Sequence, residues 1–501
     1  MKAIKNIVAG VAAVLALSSC GTDYLDTEYT RYLSSEEVGE VAAEDPSVFL
    51  NGIWSWMVEY NPTNAASGPH DTFGYMSIMH ASDLSGEDMA LSAAHWFNYD
   101  YQLDNRLEDY RRTNSHWTIL YTMIDKANQL ISFYPDGPQS EAEKAIVGQA
   151  QAVRGLAYTL LIQLFQNPVG ADGKIAGERP GVPLIYTTAD GKSNEEIEEA
   201  KGRNTVAAVL AQAQEDLENA VQNLTEAKYS RPSKNYIDAN VANGLLARLY
   251  LLTQQWEKAA DAAKAARQGY APMSLTDLHD GFMDINNKEW LWGFDHNTET
   301  STSYASFFSH VSNLEKGYAG LAYSSRLIDA RLYSQIPDDD ERKTLFNGAD
   351  GDDTQPTAGS QLPYANLKFG SDGQLTEDYV YMRAAEMYLI EAEAQARLGK
   401  TTEAAATLGE LMKNRQPSWN KQVVSVDDVL LQRRIELWGE GFVYFDLKRL
   451  NKGFDRTYEG TNHLPGGFVI KVDAQDPRWV YQLPQREIQE NTKISESEQN
   501  D

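Results

Sequence analysis

The feature that most constrains the fold of this chain is a series of segments whose apolar residues recur with the period of an α-helix. In residues 114–133, for example, Trp117, Leu120, Ile124 and Ile131 fall on one stripe of a helix. The same period occurs in residues 141–165, 205–224, 237–252, 257–266, 379–398, 402–414 and 425–438. Each such helix must bury its apolar stripe against a neighbour, so we predict a mostly α-helical fold built by helix packing.

Two of these helical stretches repeat each other. Ala247 and Ala259 are separated by the same interval as Ala392 and Ala404. Small residues at these positions allow two antiparallel helices to approach closely, which is typical of tetratricopeptide repeats. Two ordinary alanine-rich hairpins would show the same composition, but we favour the repeat.

Three long regions lack the helical period. They are residues 167–204, residues 268–377 and the chain from residue 451 on, which contain turn residues and strand-like runs such as Trp290–Phe294. Long irregular regions on a helical scaffold usually carry function or form a second packed lobe. We therefore predict a helical-repeat scaffold that supports a long irregular lobe with short strands.

The first twenty residues have the pattern of an export signal. Lys2 and Lys5 precede the apolar run Ile7–Leu17, which is too short to span a hydrocarbon core of about 30 Å. The run ends in Leu17-Ser18-Ser19-Cys20, which resembles a bacterial lipobox, in which the cysteine becomes the new N-terminus and takes acyl chains. We predict that residues 1–19 are a lipoprotein signal peptide and that Cys20 is lipidated. The alternatives are a buried free cysteine and a nucleophile.

The charge of the chain excludes several classes of partner. It has 44 Lys and Arg against 72 Asp and Glu, and its formal net charge is −28. Nucleic-acid binding depends on basic residues that neutralise phosphates, so we expect no nucleic-acid partner. A polybasic grip on an anionic membrane is excluded for the same reason. The negative field also favours neutral or weakly charged ligands over strongly anionic ones.

The sequence contains none of the common catalytic motifs. It has no His-Glu-x-x-His, no Gly-x-Ser-x-Gly and no glycine-rich phosphate loop. The acidic runs at residues 338–341 and 350–353 lack the spacing of an EF-hand. We expect no catalytic residue, no metal ligand and no cofactor, and we leave a structural calcium ion as an open question. A glycoside hydrolase is the enzymatic alternative, since a carboxylate pair could lie anywhere among 72 acids.

Aromatic residues are concentrated in two regions, residues 70–101 and 286–324. An aromatic ring can stack on the apolar C–H face of a sugar while neighbouring polar groups bind its hydroxyls. Most aromatics of a fold belong to its core, and we assign Trp290 and Trp292 to the core. The candidate ligand-binding residues are Trp96, Asn98, Phe73, Tyr75, Tyr304, Phe307 and Tyr318.

Charged and aromatic residues alternate in the segment 433–449. Arginines and carboxylates among aromatic rings could form an active site. We predict instead that they form a paired structural network that holds the helices to the irregular lobe.

Four segments, in this order, carry a resemblance to a known family. They are VRGLAYTLLIQLF with GVPLIY (residues 153–186), YMRAAEMYLIEAEAQARLGK (381–400), LLQRRIELWGEGFVYFDLKRL (430–450) and YQLPQREIQENTKI (481–494). Together with the lipobox and the sequence CGTDYLD that begins at Cys20, they resemble the SusD/RagB-like family of Bacteroidetes outer-membrane nutrient-binding lipoproteins.

The resemblance implies a SusD-like fold, in which four tetratricopeptide-like helix pairs support the irregular lobe. It implies one SusD-like domain over residues 20–501. The N-terminal part of this domain would cover about residues 21–230 and its C-terminal part about residues 270–501.

The resemblance further implies a non-catalytic lipoprotein that is exposed at the cell surface and anchored in the outer membrane through Cys20. It would capture oligosaccharide or polysaccharide and deliver it to a TonB-dependent SusC-like transporter, its expected partner. Glycan sites in the family use aromatics from two loops. Trp96 and Asn98 match the first loop, and residues 304–323 match the second only loosely. A peptide-binding uptake lipoprotein of the same family is the alternative function.

Overall fold

The structure, a computed structural model, describes residues 45–501. The predicted signal peptide and Cys20 lie outside the described residues, so both stay predictions. The α-helices, in chain order, are α1 Ser47–Trp56, α2 Tyr75–Leu84, α3 Asn98–Gln102, α4 Arg111–Ser132, α5 Glu141–Phe165, α6 Asn194–Ala200, α7 Val206–Glu226, α8 Ala239–Leu252, α9 Trp256–Ala266, α10 Phe307–Val311, α11 Ala330–Ser334, α12 Ala384–Arg397, α13 Thr401–Met412, α14 Val426–Glu436, α15 Val443–Arg449 and α16 Gln485–Glu490. Short 3-10 helices lie at Thr188–Asp190, Asp277–His279, Glu341–Leu345, Pro477–Trp479 and Glu496–Glu498.

The helices predicted from the periodicity are present, with small shifts of their ends. Residues 141–165 form α5 as predicted, and α4, α7, α8, α9, α13 and α14 each overlap their predicted segment. The segment 379–398 is the exception, because Tyr379–Arg383 forms a strand and only Ala384–Arg397 is helical. All residues of that strand are buried, so it lacks the alternation that distinguishes a half-exposed strand from a helix.

Side-chain caps fix the start of several helices. The Ser140 hydroxyl accepts a hydrogen bond from the Glu143 amide, and the Glu143 carboxylate accepts one from the Ser140 amide, at the start of α5. Ser425 and Asp428 form the capping box predicted for α14. These caps satisfy amide groups that a helix leaves unpaired in its first turn.

The long helices pack on one another in chain order. Helix α4 packs on α5, α5 on α7, α7 on α8, α8 on α9, α9 on α12 and α12 on α13. The helices approach closely where a residue is small: a Cβ atom at Gly155 in α5 would lie 2.7 Å from Leu217 Cγ in α7. The four alanines of the predicted repeat are all buried. The mostly helical fold is confirmed, while its tetratricopeptide-like detail stays a prediction.

Helix α5 is the longest helix of this array. It is the one helix in residues 45–501 that is long and apolar enough to cross a membrane. Most of its apolar stretch is buried inside the protein, which is typical of a core helix.

Six short strands form three antiparallel pairs. Strand β1 (Met89–Leu91) pairs with β3 (Arg326–Ile328), β2 (Trp290–Phe294) with β4 (Tyr379–Arg383), and β5 (Phe454–Asp455) with β6 (Lys471–Val472). Trp290 and Trp292 are fully buried, which confirms their assignment to the core.

A buried ion-pair network connects helix α14 to the strand β4. Glu436, the last residue of α14, accepts hydrogen bonds from Arg383 at 2.7 Å, from Arg415 at 2.9 Å and from Arg342 at 3.2 Å. Burial alone would raise the pKa of Glu436, but the charges of these three arginines outweigh it and hold the pKa well below its usual value. The carboxylate is therefore ionised in the folded protein.

The pairing continues through the rest of the segment 433–449. Arg434 binds Asp88, Arg449 binds Glu393 through two hydrogen bonds of 2.7 Å, and the buried Lys448 donates to backbone carbonyls. These contacts confirm the predicted structural role of the charged residues in this segment.

We predict that Glu436→Gln destabilises the fold by about 3–5 kcal/mol, because it leaves buried guanidinium groups without their shared carboxylate. The free energy of unfolding, measured with urea, checks this. Glu410→Gln is the matched control, since Glu410 forms an exposed ion pair with Lys413 and its loss should leave stability unchanged. Equal effects of the two substitutions would contradict the central role of Glu436.

Candidate ligand-binding site

The pairing of β1 with β3 brings together two loops that are distant in sequence. Leu91 pairs with Arg326, so the loop that follows β1 meets the loop that precedes β3. The Ser92 amide donates to the Ser325 carbonyl at 3.1 Å, and the Ser325 amide donates to the Ser92 hydroxyl at 2.8 Å. The two aromatic-rich regions of the sequence therefore share one surface.

Aromatic rings from these two loops, together with His70 before α2 and Tyr304 before α10, form a continuous cluster, which we call the aromatic platform. Trp96 stacks on His70 with ring centroids 5.8 Å apart and an interplanar angle of 21°. The ring centroid of Tyr318 lies 4.9 Å from that of His95. It lies 6.2 Å from the ring centroid of Tyr304 and 6.3 Å from that of Tyr323. The platform consists of His70, His95, Trp96, Tyr304, Tyr318 and Tyr323.

Hydrogen bonds and a buried histidine hold the platform in place. His70 Nδ1 and the Tyr318 hydroxyl are hydrogen-bonded at 2.8 Å. His310 lies beneath them: its ring stacks on Tyr318 at 4.8 Å, and its Nε2 donates to the His70 carbonyl at 2.8 Å. Burial lowers the pKa of His310 to about 3, so this imidazole is neutral and acts as a packing and hydrogen-bonding group.

The platform is open to solvent. Tyr304 is 47% exposed and Tyr323 is 57% exposed, while Trp96 and Tyr318 are half-buried. Exposed tyrosines are unusual among residues 45–501, where the third is Tyr99, 53% exposed, in the first turn of α3 and three residues after Trp96. Such a concentration of exposed rings is typical of a binding surface.

A cleft of about 530 Å³ adjoins the platform at Trp96. Asn98, Tyr99, Tyr110 and Arg111 line it, together with Asp71. The backbone turns abruptly at Phe97, which lines the cleft and has φ = 69°, in the left-handed region that bulky residues rarely adopt. This turn separates Trp96 from Asn98, the first residue of α3.

The charged groups of the cleft are paired with one another. Arg111 donates to both carboxylate oxygens of Asp71, at 2.7 and 3.0 Å. The buried Arg112 bridges Asp71 and Asp100, at 2.9 Å to each. Burial alone would raise the pKa of Asp71, but Arg112 and Arg111 outweigh it and hold the pKa below its usual value.

The structure brings four of the predicted ligand-binding residues to this surface. Trp96, Tyr304 and Tyr318 belong to the platform, and Asn98 lines the adjoining cleft. Their role in binding stays a prediction. His70 and His95 were not among the predicted residues, because only the tertiary contacts show that they adjoin Tyr318.

For the three other residues, the structure corrects the prediction of ligand contact. Phe73, Tyr75 and Phe307 are each no more than 1% exposed. Phe73 packs against Phe97, and Tyr75 packs against Tyr381. A side chain enclosed in this way cannot contact a ligand, so these rings support the platform from the core.

Three carboxylates lie close enough together to be considered as a calcium site. Glu315, Asp372 and Glu377 place one oxygen each within 4.8 Å of the others. Backbone amides of the same loop already donate to these groups, among them that of Gly373 to Glu315 and that of Asp372 to Glu377. Burial raises the pKa of Glu377 to about 8, which favours a shared proton between the buried carboxyls. We assign no cation to this group.

Comparisons with known proteins relate both parts of the chain to one family. The SusD family model matches residues 330–501, and a SusD-like model described as starch-binding and associating with the outer membrane matches residues 47–251. Two relatives from Formosa agariphila, SusD-like proteins P2 and P38, are each 24% identical over 394 and 401 residues. These matches cover 69% and 68% of this chain and 73% and 72% of the relatives.

Solved structures share the fold. A SusD-like carbohydrate binding protein from Bacteroides vulgatus is similar with a TM-score of 0.77 and 24% identity, over 91% of this chain and 98% of the other. Surface glycan-binding protein A from Bacteroides uniformis is similar with a TM-score of 0.64 and 17% identity, over 91% of this chain and 99% of the other. A laminarin binding SusD-like protein is similar with a TM-score of 0.63 and 17% identity, over 90% of this chain and 98% of the other.

We predict that Gly317→Ala displaces the loop that carries Tyr318. A Cβ atom at residue 317 would lie 2.5 Å from Ser309 Cα, so the loop must move or the fold must lose about 1–3 kcal/mol. Urea unfolding measures this loss. Gly409→Ala is the control, because nothing lies within 4 Å of that Cβ in α13 and alanine favours a helix. Wild-type stability in both variants would contradict the close packing of this loop.

Proposed function

This chain belongs to the SusD/RagB-like family, and from this premise we propose that it captures oligosaccharide or polysaccharide on the aromatic platform without cleaving it. The family is one of carbohydrate-binding proteins associated with the outer membrane. The observation that carries the proposal is the aromatic cluster beside an open cleft, in which Tyr304 and Tyr323 are exposed and Trp96 and Tyr318 are half-buried.

The chemistry of the platform suits a sugar. Flat rings stack on the C–H faces of pyranose units, and amphipathic rings such as Tyr and Trp do so while remaining partly hydrated. The cleft supplies polar groups to bind hydroxyls, namely the Asn98 amide and the phenol groups of Tyr99 and Tyr110. Its volume of about 530 Å³ lies in the range of small-molecule sites.

The carboxylates of the cleft favour binding over hydrolysis. A glycoside hydrolase needs one carboxylic acid whose pKa is raised, so that it can protonate the leaving group. Asp71 has the opposite property, because its two arginine partners hold its pKa low. Asp100 is likewise buried and bound to Arg112. These pairs support a non-catalytic role.

The proposal extends to the location and the partner of the protein. The lipobox at residues 17–20 and the family's association with the outer membrane support a lipid anchor at Cys20 and exposure at the cell surface. A SusC-like TonB-dependent transporter is the proposed partner, to which the captured glycan is delivered. The ordered array of helices offers a large rigid surface for such a partner.

We predict that Trp96→Ala lowers glycan affinity about tenfold or more, since the loss of an aromatic anchor at a binding surface costs about 1.4 kcal/mol or more. Native gels containing a panel of polysaccharides identify a ligand, and calorimetry then measures its affinity. Trp419→Ala is the matched control, since Trp419 is half-buried in a different loop. Circular dichroism confirms that both variants fold.

Three outcomes of that experiment would contradict parts of the proposal. Unchanged affinity of the Trp96 variant would remove this residue from the site. Release of sugar products during long incubation would indicate a hydrolase. Binding of peptides but of no polysaccharide would favour the peptide-uptake alternative.

The anchor and the partner have a separate test. Wild-type protein in its native cells is expected in the outer-membrane fraction, accessible to added protease, and bound to a TonB-dependent transporter after mild detergent extraction. Cys20→Ala should abolish the membrane association, because no acyl chain can be attached. Retention of the Cys20 variant in the membrane would contradict the lipid anchor, and purification without a transporter would contradict the proposed partner.

A further inference from the structure

We propose that the site selects uncharged sugars and discriminates against carboxylated ones, because the arginines of the cleft are already neutralised by Asp71 and Asp100. The inference rests on the proposed glycan-binding function and specifies its substrate class. It depends on the pairing of charges inside the cleft, which is independent of the aromatic rings.

Arg111 is the accessible cation of the cleft. Its side chain is 32% exposed, yet both of its terminal nitrogens donate to Asp71 in a bidentate pair, at 2.7 and 3.0 Å. A sugar carboxylate could bind Arg111 in the same way only by displacing Asp71. Asp71 is held by its second partner, Arg112, so the displacement would break two ion pairs to form one.

The other arginines near the cleft are enclosed. Arg112 is 3% exposed and donates to Asp71 and Asp100. Arg106 is 6% exposed and donates to Asn105, to the Ser85 hydroxyl and to the Tyr481 hydroxyl. Neither guanidinium can reach an anionic ligand at the surface.

The imidazoles of the platform do not replace these cations. His95 is neutral near pH 7, because burial and the neighbouring charge of Arg326 lower its pKa. His310 is buried and neutral beneath Tyr318. His70 is engaged by the Tyr318 hydroxyl at Nδ1 and by the stacked ring of Trp96.

The surroundings of the cleft are acidic. Residues 98–112 include the exposed Asp104 and Asp109 as well as Glu108, and the chain as a whole has a net charge of −28. An anionic polymer that approaches this surface is repelled, and the repulsion extends over a Debye length of roughly 8–10 Å.

Two cations near the platform lack an ion pair among residues 45–501, Arg326 and Lys316. Arg326 is fully buried and cannot reach a ligand at the surface. Lys316 is exposed and lies two residues before Tyr318. A solvated lysine contributes little to binding compared with a desolvated bidentate arginine, so Lys316 alone should not reverse the selectivity.

The test compares two forms of one polymer. A neutral polysaccharide that binds in the native-gel panel is oxidised at its primary hydroxyls, which converts a fraction of its sugars to uronic acids. We expect the oxidised form to bind the wild-type protein at least tenfold more weakly in about 0.1 M salt. Chemical reduction of the new carboxyl groups should restore the affinity, which controls for changes in chain length.

A charge variant identifies the cause. Asp71→Asn removes the carboxylate that binds Arg111. We expect this variant to lower the ratio of the affinity for the neutral polymer to the affinity for the oxidised polymer at least threefold. Asp104→Asn is the matched control, because it removes the same charge from the exposed part of the segment without releasing an arginine. It should leave the ratio close to the wild-type value. Lys316→Gln should also leave the wild-type ratio unchanged.

The outcomes separate this inference from the proposed function. Equal or tighter binding of the oxidised polymer by the wild-type protein would overturn the inference, and this result does not depend on any variant. Binding of acidic polysaccharides alone in the initial panel would also overturn it while supporting glycan capture. Loss of acidic-glycan binding in the Lys316 variant would assign the anion contact to Lys316 and overturn it as well. Failure of every polysaccharide to bind would overturn the proposed function, and the inference with it.

Discussion

The charge network around Glu436 and Arg383 is the interaction on which the rest of the structure depends. Burying several ions is costly, and the arrangement is stable only because each guanidinium and each carboxylate has partners at hydrogen-bond distance. This requirement fixes geometry more strictly than apolar packing does, since a small displacement leaves a buried charge unpaired. The network joins α14 to β4 and to Glu289, which precedes β2, and so connects helices to the irregular lobe.

The same segment also positions the binding surface. The Trp438 indole N–H donates to the Asp88 carbonyl at 2.8 Å, and Arg434 binds the Asp88 carboxylate. Asp88 immediately precedes β1, whose pairing with β3 joins the loops of Trp96 and Tyr318. The C-terminal part of the chain therefore contacts the residue that leads into the strand pair joining the platform loops. Such an arrangement provides a rigid support for exposed rings.

Charged and aromatic side chains have separate roles in this protein. Arginines and carboxylates near the cleft are paired with one another, and the pKa of Asp71 is held below its usual value by Arg112 and Arg111. The aromatic rings above them remain exposed. A surface of this kind suits the proposed stacking of a sugar on the rings and hydrogen bonding of its hydroxyls. Membership of the SusD/RagB-like family agrees with that division of roles.

The sequence by itself determined the helices, the family and the structural role of the segment 433–449. Their signals are local: the period of α5, the capping box at Ser425 and the order of the motifs are all visible without distant contacts. Only the tertiary structure decided which aromatics face solvent. Phe73 and Trp96 occur in the same aromatic-rich region, yet one is enclosed by the core and the other is not. The pairing of β1 with β3 and that of Asp71 with Arg111 join residues far apart in the chain, and no local pattern specifies such contacts.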